Sequence, residues 1–221
     1  MQSSFMKNFL KSLLSVSFIA MAFSASAFTE GVDYVTLEKP IPNADKTLIK
    51  VFSYDCPFCY KYDKRVTGPV VQKLEGVVQF KPYHLETKGK YGLPASRLFA
   101  VLVLKDQANG VPLIDEDKSL FKKAKMAYYA AYHDKKERWD GGENDFLKTG
   151  LDAVGMSRAD YDAAIKDPRV EALAQEWKAG YDAAKVQGVP AYVVNGKYLI
   201  YTKNIRSEGG LVDLIKELAG K

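Results

Sequence analysis

Apolar positions along the chain fall into short strand-like runs at the two ends and helical spacings between them. Asp33 to Leu37 and Thr47 to Tyr54 read as strands. The second (TLIKVFSY) is apolar at nearly every position, as a central strand covered on both faces would be. Pro57 suits the first turn of a helix, where its missing N–H is not needed, and the pattern after it predicts a helix to about Leu74. Val77 to His84 reads as a third strand. From about Gly92 to Lys185 helical spacing takes over, as in Leu120, Phe121, Ala124, Tyr128 and Ala131, or Val170, Leu173, Ala174, Trp177 and Tyr181. Turn signals interrupt it at Asn109-Gly110, Gly141-Gly142 and Asp167-Pro168. Strands return at Ala191 to Val194 and Tyr198 to Tyr201 around an Asn195-Gly196 hairpin signal, and a last helix covers Glu208 to Ala219. The order is therefore β-β-α-β, a helical stretch, then β-β-α. No low-complexity linker divides it.

The first 27 residues carry a different pattern. Lys7 and Lys11 precede an uncharged run from Leu13 to Phe23, and Ala25-Ser26-Ala27 follows as a small-x-small site. This is the three-part arrangement of a cleavable secretory signal, with Phe28 as the first mature residue. The apolar run is too short for the roughly 20 residues that span a bilayer. Removing 27 of the 221 residues leaves 194 and lowers the formal net charge from +5 to +3. A charge so small and so evenly mixed implies no nucleic-acid partner. The 47% hydrophobic content is that of a globular chain.

Composition supplies one further point: the chain has only two cysteines, and both lie in Cys56-Pro57-Phe58-Cys59. Two cysteines cannot build a stapling framework, and the small loop they close removes little unfolded-state entropy. Zinc needs four ligands, and His84 and His133 have no partners at ligand spacing, so no metal is expected. An inert local disulfide and a reactive dithiol/disulfide remain. The strand-then-helix setting favours reactivity, because Cys56 would sit at a helix N-terminus where unpaired N–H groups and the dipole stabilise a thiolate. Cys59, one turn inside, would be shielded and act as the resolving thiol. Gly188-Val189-Pro190 opens a strand with a proline, which suggests a special backbone geometry there, a cis bond among the options. Together with the cysteine pair this is a thioredoxin-like pattern, an α/β fold interrupted by helices.

On these residues the chain resembles the DsbA family of bacterial periplasmic thiol:disulfide oxidoreductases, and within it is most similar to the DsbL branch. The stretches that carry the resemblance are YVTLEKPIP, FSYDCPFCYKYDK, HLETKG, FKKAKMAYYAAYHDKKERW and QGVPAYVVNGKYLIY. The resemblance implies a thioredoxin fold with an inserted helical domain: residues 28–88 and 186–221 would form the thioredoxin-like part and 89–185 the insert. It makes Cys56 the exposed attacking cysteine and Cys59 its partner, with Pro57 and Phe58 as the intervening dipeptide and Val189 and Pro190 as a cis-proline loop beside them. It implies no cofactor beyond the Cys56–Cys59 disulfide, and a monomer is expected. The implied partners are reduced, newly exported periplasmic clients and a quinone-linked inner-membrane reoxidant of the DsbB or DsbI type. A periplasmic arylsulfate sulfotransferase is among the clients associated with that branch.

Two departures from the wider family bear on chemistry. Phe58 stands where DsbA has a histidine, and Lys50 stands on the central strand where DsbA carries an acid. Lys50 either snorkels out of a strand end or places a cation near Cys56 that lowers its thiol pKa. Asp55 would oppose that effect, or point to solvent and pair with Lys61 or Lys64. Lys122, Lys123, Lys125, Lys135 and Lys136 read as a solvated helix face, with binding of an acidic partner as the alternative, the fourteen tyrosines as packing, and His84 and His133 receive no catalytic role. The function expected is donation of the Cys56–Cys59 disulfide to client proteins. The alternatives are a disulfide isomerase or reductase, and a periplasmic chaperone or adaptor.

Overall fold

The computed structural model describes residues 27–221. Nearly all of the export-signal pattern, residues 1–26, therefore lies outside the described residues. Five strands form one mixed sheet: β1 (Tyr34–Thr36), β2 (Thr47–Phe52), β3 (Gln79–His84), β4 (Ala191–Val194) and β5 (Tyr198–Ile200). Helices α1 (Pro57–Arg65) and α2 (Thr67–Lys73) connect β2 to β3. Between β3 and β4 come α3 (Gly92–Ala108), α4 (Leu120–Tyr129), α5 (Glu143–Val154), α6 (Arg158–Ala164), α7 (Pro168–Trp177) and α8 (Gly180–Gln187). Helix α9 (Glu208–Ala219) closes the chain.

The sheet order is β1-β5-β4-β2-β3, with β2 and β3 parallel and the other neighbours antiparallel. β2 lies inside, paired on both edges and buried at every residue, as its unbroken apolar run requires. The parallel pair forces a crossover, which α1 and α2 supply. Asn195 and Gly196 both take positive φ (53° and 63°), the backbone of a type I′ turn whose twist suits the β4–β5 hairpin.

One expected element divides. The helix predicted from Pro57 to Leu74 breaks at Val66, whose φ/ψ of −121°/−51° leaves the helical region. Pro69 is the cause: it has no N–H for the Arg65 carbonyl four residues back, and its ring would clash with that carbonyl. β3 also begins two residues late, because pairing starts where Gln79 meets Thr47, the first residue of β2. The expected breaks at Asn109, Gly142 and Asp167 all fall at helix ends.

The sheet separates two apolar layers. On one side Ile49, Val51 and Phe52 pack with Leu98, Phe99, Phe121, Tyr128 and Phe146, so sheet and helical stretch share a core. On the other, Leu48, Tyr192 and Ile200 pack under α2 and α9 through Val70, Leu74, Leu211 and Ile215. Buried tyrosines, among them Tyr54, Tyr128, Tyr129 and Tyr192, fill these layers as the composition suggested.

Candidate active site

The chain leaves β2 at Phe52, and the Cys56 N–H donates to the Ser53 carbonyl (3.2 Å), folding residues 53–56 into a turn that aims the next segment back over the sheet. Cys56 is the N-cap of α1 and Pro57 its first residue. This places the Cys59 N–H, otherwise unpaired in a first helical turn, where it donates to Cys56 Sγ at 3.0 Å. Cys56 and Cys59 are joined as a disulfide. The i, i+3 spacing therefore brings two sulfurs together and gives one of them a backbone donor.

Access is narrow. Cys56 is 3% exposed and Cys59 0%, so the expected open attacking cysteine is a nearly covered one. Phe58, by contrast, projects with 64% of its surface free, the most exposed large apolar side chain among the described residues. The Val189–Pro190 peptide is cis, and the Val189 carbonyl oxygen lies 3.3 Å from Cys56 Sγ. A disulfide sulfur carries no proton, so this approach is a contact and not a hydrogen bond. Cys56, Cys59, Pro57, Phe58, Val189 and Pro190 thus meet at one place, from α1 and from the entry to β4.

Lys50 is not part of that ring, and it neither snorkels outward nor stands bare beside Cys56. Its ammonium is 1% exposed, 2.8 Å from Asp63 Oδ1 and 2.9 Å from Thr67 Oγ1. Lys125 of α4 reaches the same Asp63 oxygen at 3.1 Å, Tyr129 OH donates to Oδ2 at 3.1 Å, and Lys122 Nζ donates to the Asp63 carbonyl at 3.3 Å. Lys122 also pairs with the exposed Glu116 at 3.4 Å. Two lysines expected on a solvated face are therefore interior, because the side of α4 that carries them packs against α1. Burial raises the carboxyl of Asp63, but Lys125 and Lys50 overcome it and hold that group well below the usual carboxylate range. Burial draws Lys50 down to about 7 against the opposing pull of Asp63, and it draws Lys125 down as well.

Sequence reasoning places Lys122 and Lys125 on a solvated face and misses Asp63. A signal existed: Asp63 is four residues after Cys59 and so shares its buried helix face, where a carboxylate needs a cation. Asp55 has other partners than expected. Ser53 Oγ donates to it at 2.7 Å and Lys88 lies 3.7 Å away, while Lys64 sits over the Tyr60 ring and 4.0 Å from Asp134. His133 occupies a π-helical turn, Ala130–Asp134, and stacks on Tyr60. His84 is buried against Ser96 Oγ at 2.7 Å, and desolvation pushes it down to about 3, so it stays neutral. A surface cavity of about 900 Å³ is lined by residues of α2, β3 and the segment 111–117, and none of the site residues lines it. A disulfide at a helix start, next to an exposed phenylalanine and with the Val189 backbone alongside, is suited to thiol–disulfide exchange with a macromolecule.

Comparison with known proteins agrees with this chemistry. A family profile for the DSBA-like thioredoxin domain matches residues 47–208. The chain is 65% identical over 213 residues to the thiol:disulfide interchange protein DsbL of Escherichia coli O6:H1, covering 96% of each chain. It is 63% identical over 223 residues to DsbL of Lelliottia amnigena, covering both chains in full. Against DsbA of Salmonella typhimurium the identity is 34% over 195 residues, 85% of this chain and 84% of that one. The crystal structure of Salmonella enterica serovar Typhimurium DsbL superposes with a TM-score of 0.87 at 68% identity, covering 89% of this chain and 100% of that one. The chain belongs to the DsbA family of thiol:disulfide oxidoreductases, with its similarity greatest toward the DsbL proteins among these relatives.

Proposed function

We propose that this protein is a periplasmic dithiol oxidase, which donates its Cys56–Cys59 disulfide to reduced proteins as they are exported. The observation that carries this reading is the Cys59 N–H donating to Cys56 Sγ at the start of α1. A sulfur at a helix N-cap gains most from that donor and from the helix dipole when it is anionic. The reduced protein is therefore stabilised, which makes the disulfide a stronger oxidant. For a two-electron couple, each 1.4 kcal/mol by which the reduced form is stabilised raises the potential by about 30 mV.

In the exchange a client thiolate attacks Cys56 Sγ, the S–S bond breaks, and its electron pair leaves on Cys59, which takes up a proton. The client's second thiolate then attacks the client sulfur of the mixed disulfide and expels Cys56 as a thiolate. Two electrons pass from client to protein. Phe58 offers an apolar contact at the mouth of the site, and the Val189-Pro190 backbone runs alongside to pair with an extended client segment. No group besides the disulfide is required. Lys50, held with Lys125 on a single carboxylate, contributes to a buried positive excess under α1 that favours the thiolate.

Turnover needs an oxidant, and we assign that part to a quinone-linked membrane protein of the DsbB or DsbI type. Export through the signal pattern of residues 1–27, action as a monomer, residues 89–185 as an insert that shapes client choice, and a narrow client range including an arylsulfate sulfotransferase complete the proposal. No helix among the described residues is long and apolar enough to cross a membrane. The Cys59→Ala variant, with Cys56 first loaded as a mixed disulfide with glutathione, should exchange glutathione for client thiolates and hold the clients as mixed disulfides on Cys56, identifiable after non-reducing separation. Absence of such adducts, or their equal appearance with Cys56→Ala, would count against Cys56 as the attacked sulfur.

A further inference from the structure

Three lysines converge on Asp63 beneath the helix that carries both cysteines. The groups that face Lys50 are Asp63 from α1, Thr67 from α2, Lys122 and Lys125 with Tyr129 from α4, and Tyr192 from β4. Thr67 Oγ1 bonds to Tyr192 OH at 2.8 Å, so the polar atoms around the lysine are engaged with one another. One carboxylate cannot neutralise two ammonium groups that share a single oxygen, and Lys122 has its own counter-ion in Glu116. With both amines protonated, the interior would hold one positive charge more than its geometry balances. Asp63 lies four residues beyond Cys59 and seven beyond Cys56 on the same face of α1, about 10 Å from Cys56 along the axis, with side chains leaning toward the cysteines.

We infer that Lys50 is a redox-linked proton acceptor: the amine gives up its proton while the disulfide is intact and takes one up when reduction places a thiolate at Cys56. In the oxidised protein the surplus charge repels Lys125 and is desolvated, so a neutral amine is favoured. In the reduced protein the new negative charge at the head of the same helix offsets the surplus. This is consistent with the depressed proton affinity of Lys50 in the disulfide form. Lys50 is a positioning residue in this scheme and touches no substrate. The inference rests on the proposed ionisation of Cys56 in the reduced protein.

The proton balance makes it measurable. With glutathione as reductant, two glutathione thiols deliver two electrons and two protons. Cys59 takes one proton and Lys50 the other, leaving the Cys56 thiolate, so no proton is released overall. Without Lys50 uptake, one proton is released for each protein reduced. The equilibrium constant with glutathione should then be nearly flat between about pH 7 and 8 in the wild type, once corrected for glutathione's own ionisation, and change roughly tenfold per pH unit in Lys50→Met. Lys125→Met provides a second test that keeps Lys50 in place. It removes the competing cation, so Lys50 stays protonated in both redox forms and the tenfold slope reappears. A tenfold slope in the wild type, or a flat profile kept by both variants, would overturn the inference. Thiolate absorbance of the reduced protein separates the two levels: an un-ionised Cys56 at pH 7 defeats the underlying oxidant reading, whatever the slopes.

Discussion

An asparagine at position 63 would leave Lys50 and Lys125 facing each other in the interior with no counter-charge between them. Removing one partner of a buried ion cluster costs about 3–5 kcal/mol, because the remaining charge stays desolvated and unpaired. The cost has a pH signature. Without the carboxylate both amines lose proton affinity in the folded state, so the unfolded chain binds more protons and stability rises with pH. Asp63→Asn should therefore unfold at markedly lower urea than wild type near pH 6, and the gap should narrow toward pH 9 as the lysines neutralise. A pH-independent gap would mean that packing dominates. His84 acts in the acid range. Burial lowers its folded pKa to about 3, against the ordinary 6.5 of the exposed ring. Between these values the unfolded state holds the extra proton, so stability present at pH 7 drains away as pH falls toward 3. His84→Asn can keep a partner for Ser96 but cannot titrate. Its urea midpoint should change less than that of wild type between pH 7 and 4.5, by roughly 2 kcal/mol of stability.

At the scale of elements, α4 must be held in register for Lys122 and Lys125 to meet Asp63. Its start is tied down by Asp106 of α3, which accepts from Ser119 Oγ at 2.7 Å and from the Leu120 and Phe121 N–H groups at 2.9 and 3.0 Å. Ser119 in turn accepts from the Lys122 N–H at 2.9 Å. Asp106→Ala would leave buried donors unpaired, and a loss of about 2–3 kcal/mol is expected in urea unfolding. An unchanged midpoint would show that water replaces the carboxylate. Elements also differ in how readable they are. β2, the Asn195-Gly196 hairpin and α9 follow from local pattern, since burial on both faces, paired positive φ values and helical spacing each leave a short-range mark. The break at Val66 was equally local, because Pro69 forbids a continuous helix, yet the apolar spacing running through it suggested one.

For the whole molecule, the redox centre was legible because its parts are short-range: two cysteines one turn apart, a strand before them, and a proline at another strand's entry. What surrounds it was not, since it depends on which surfaces meet. The side of α4 that bears Lys122 and Lys125 looks like any charged helix until α1 presents Asp63, and Asp55 finds Lys88 from the segment after β3 instead of a neighbour on α1. Lys50 stands out as a charge on a central strand, but its partners come from two helices that local spacing does not place there. Together these contacts describe a fold that pairs a backbone donor on Cys56 Sγ with a buried cluster of lysines under the same helix, both stabilising the reduced state. The most direct measurement is the reduction potential of Cys56–Cys59, from equilibrium with glutathione at neutral pH. Donation of the disulfide calls for a strongly oxidising couple, near the roughly −120 mV typical of DsbA proteins; a value near the thioredoxin level of about −270 mV would contradict it.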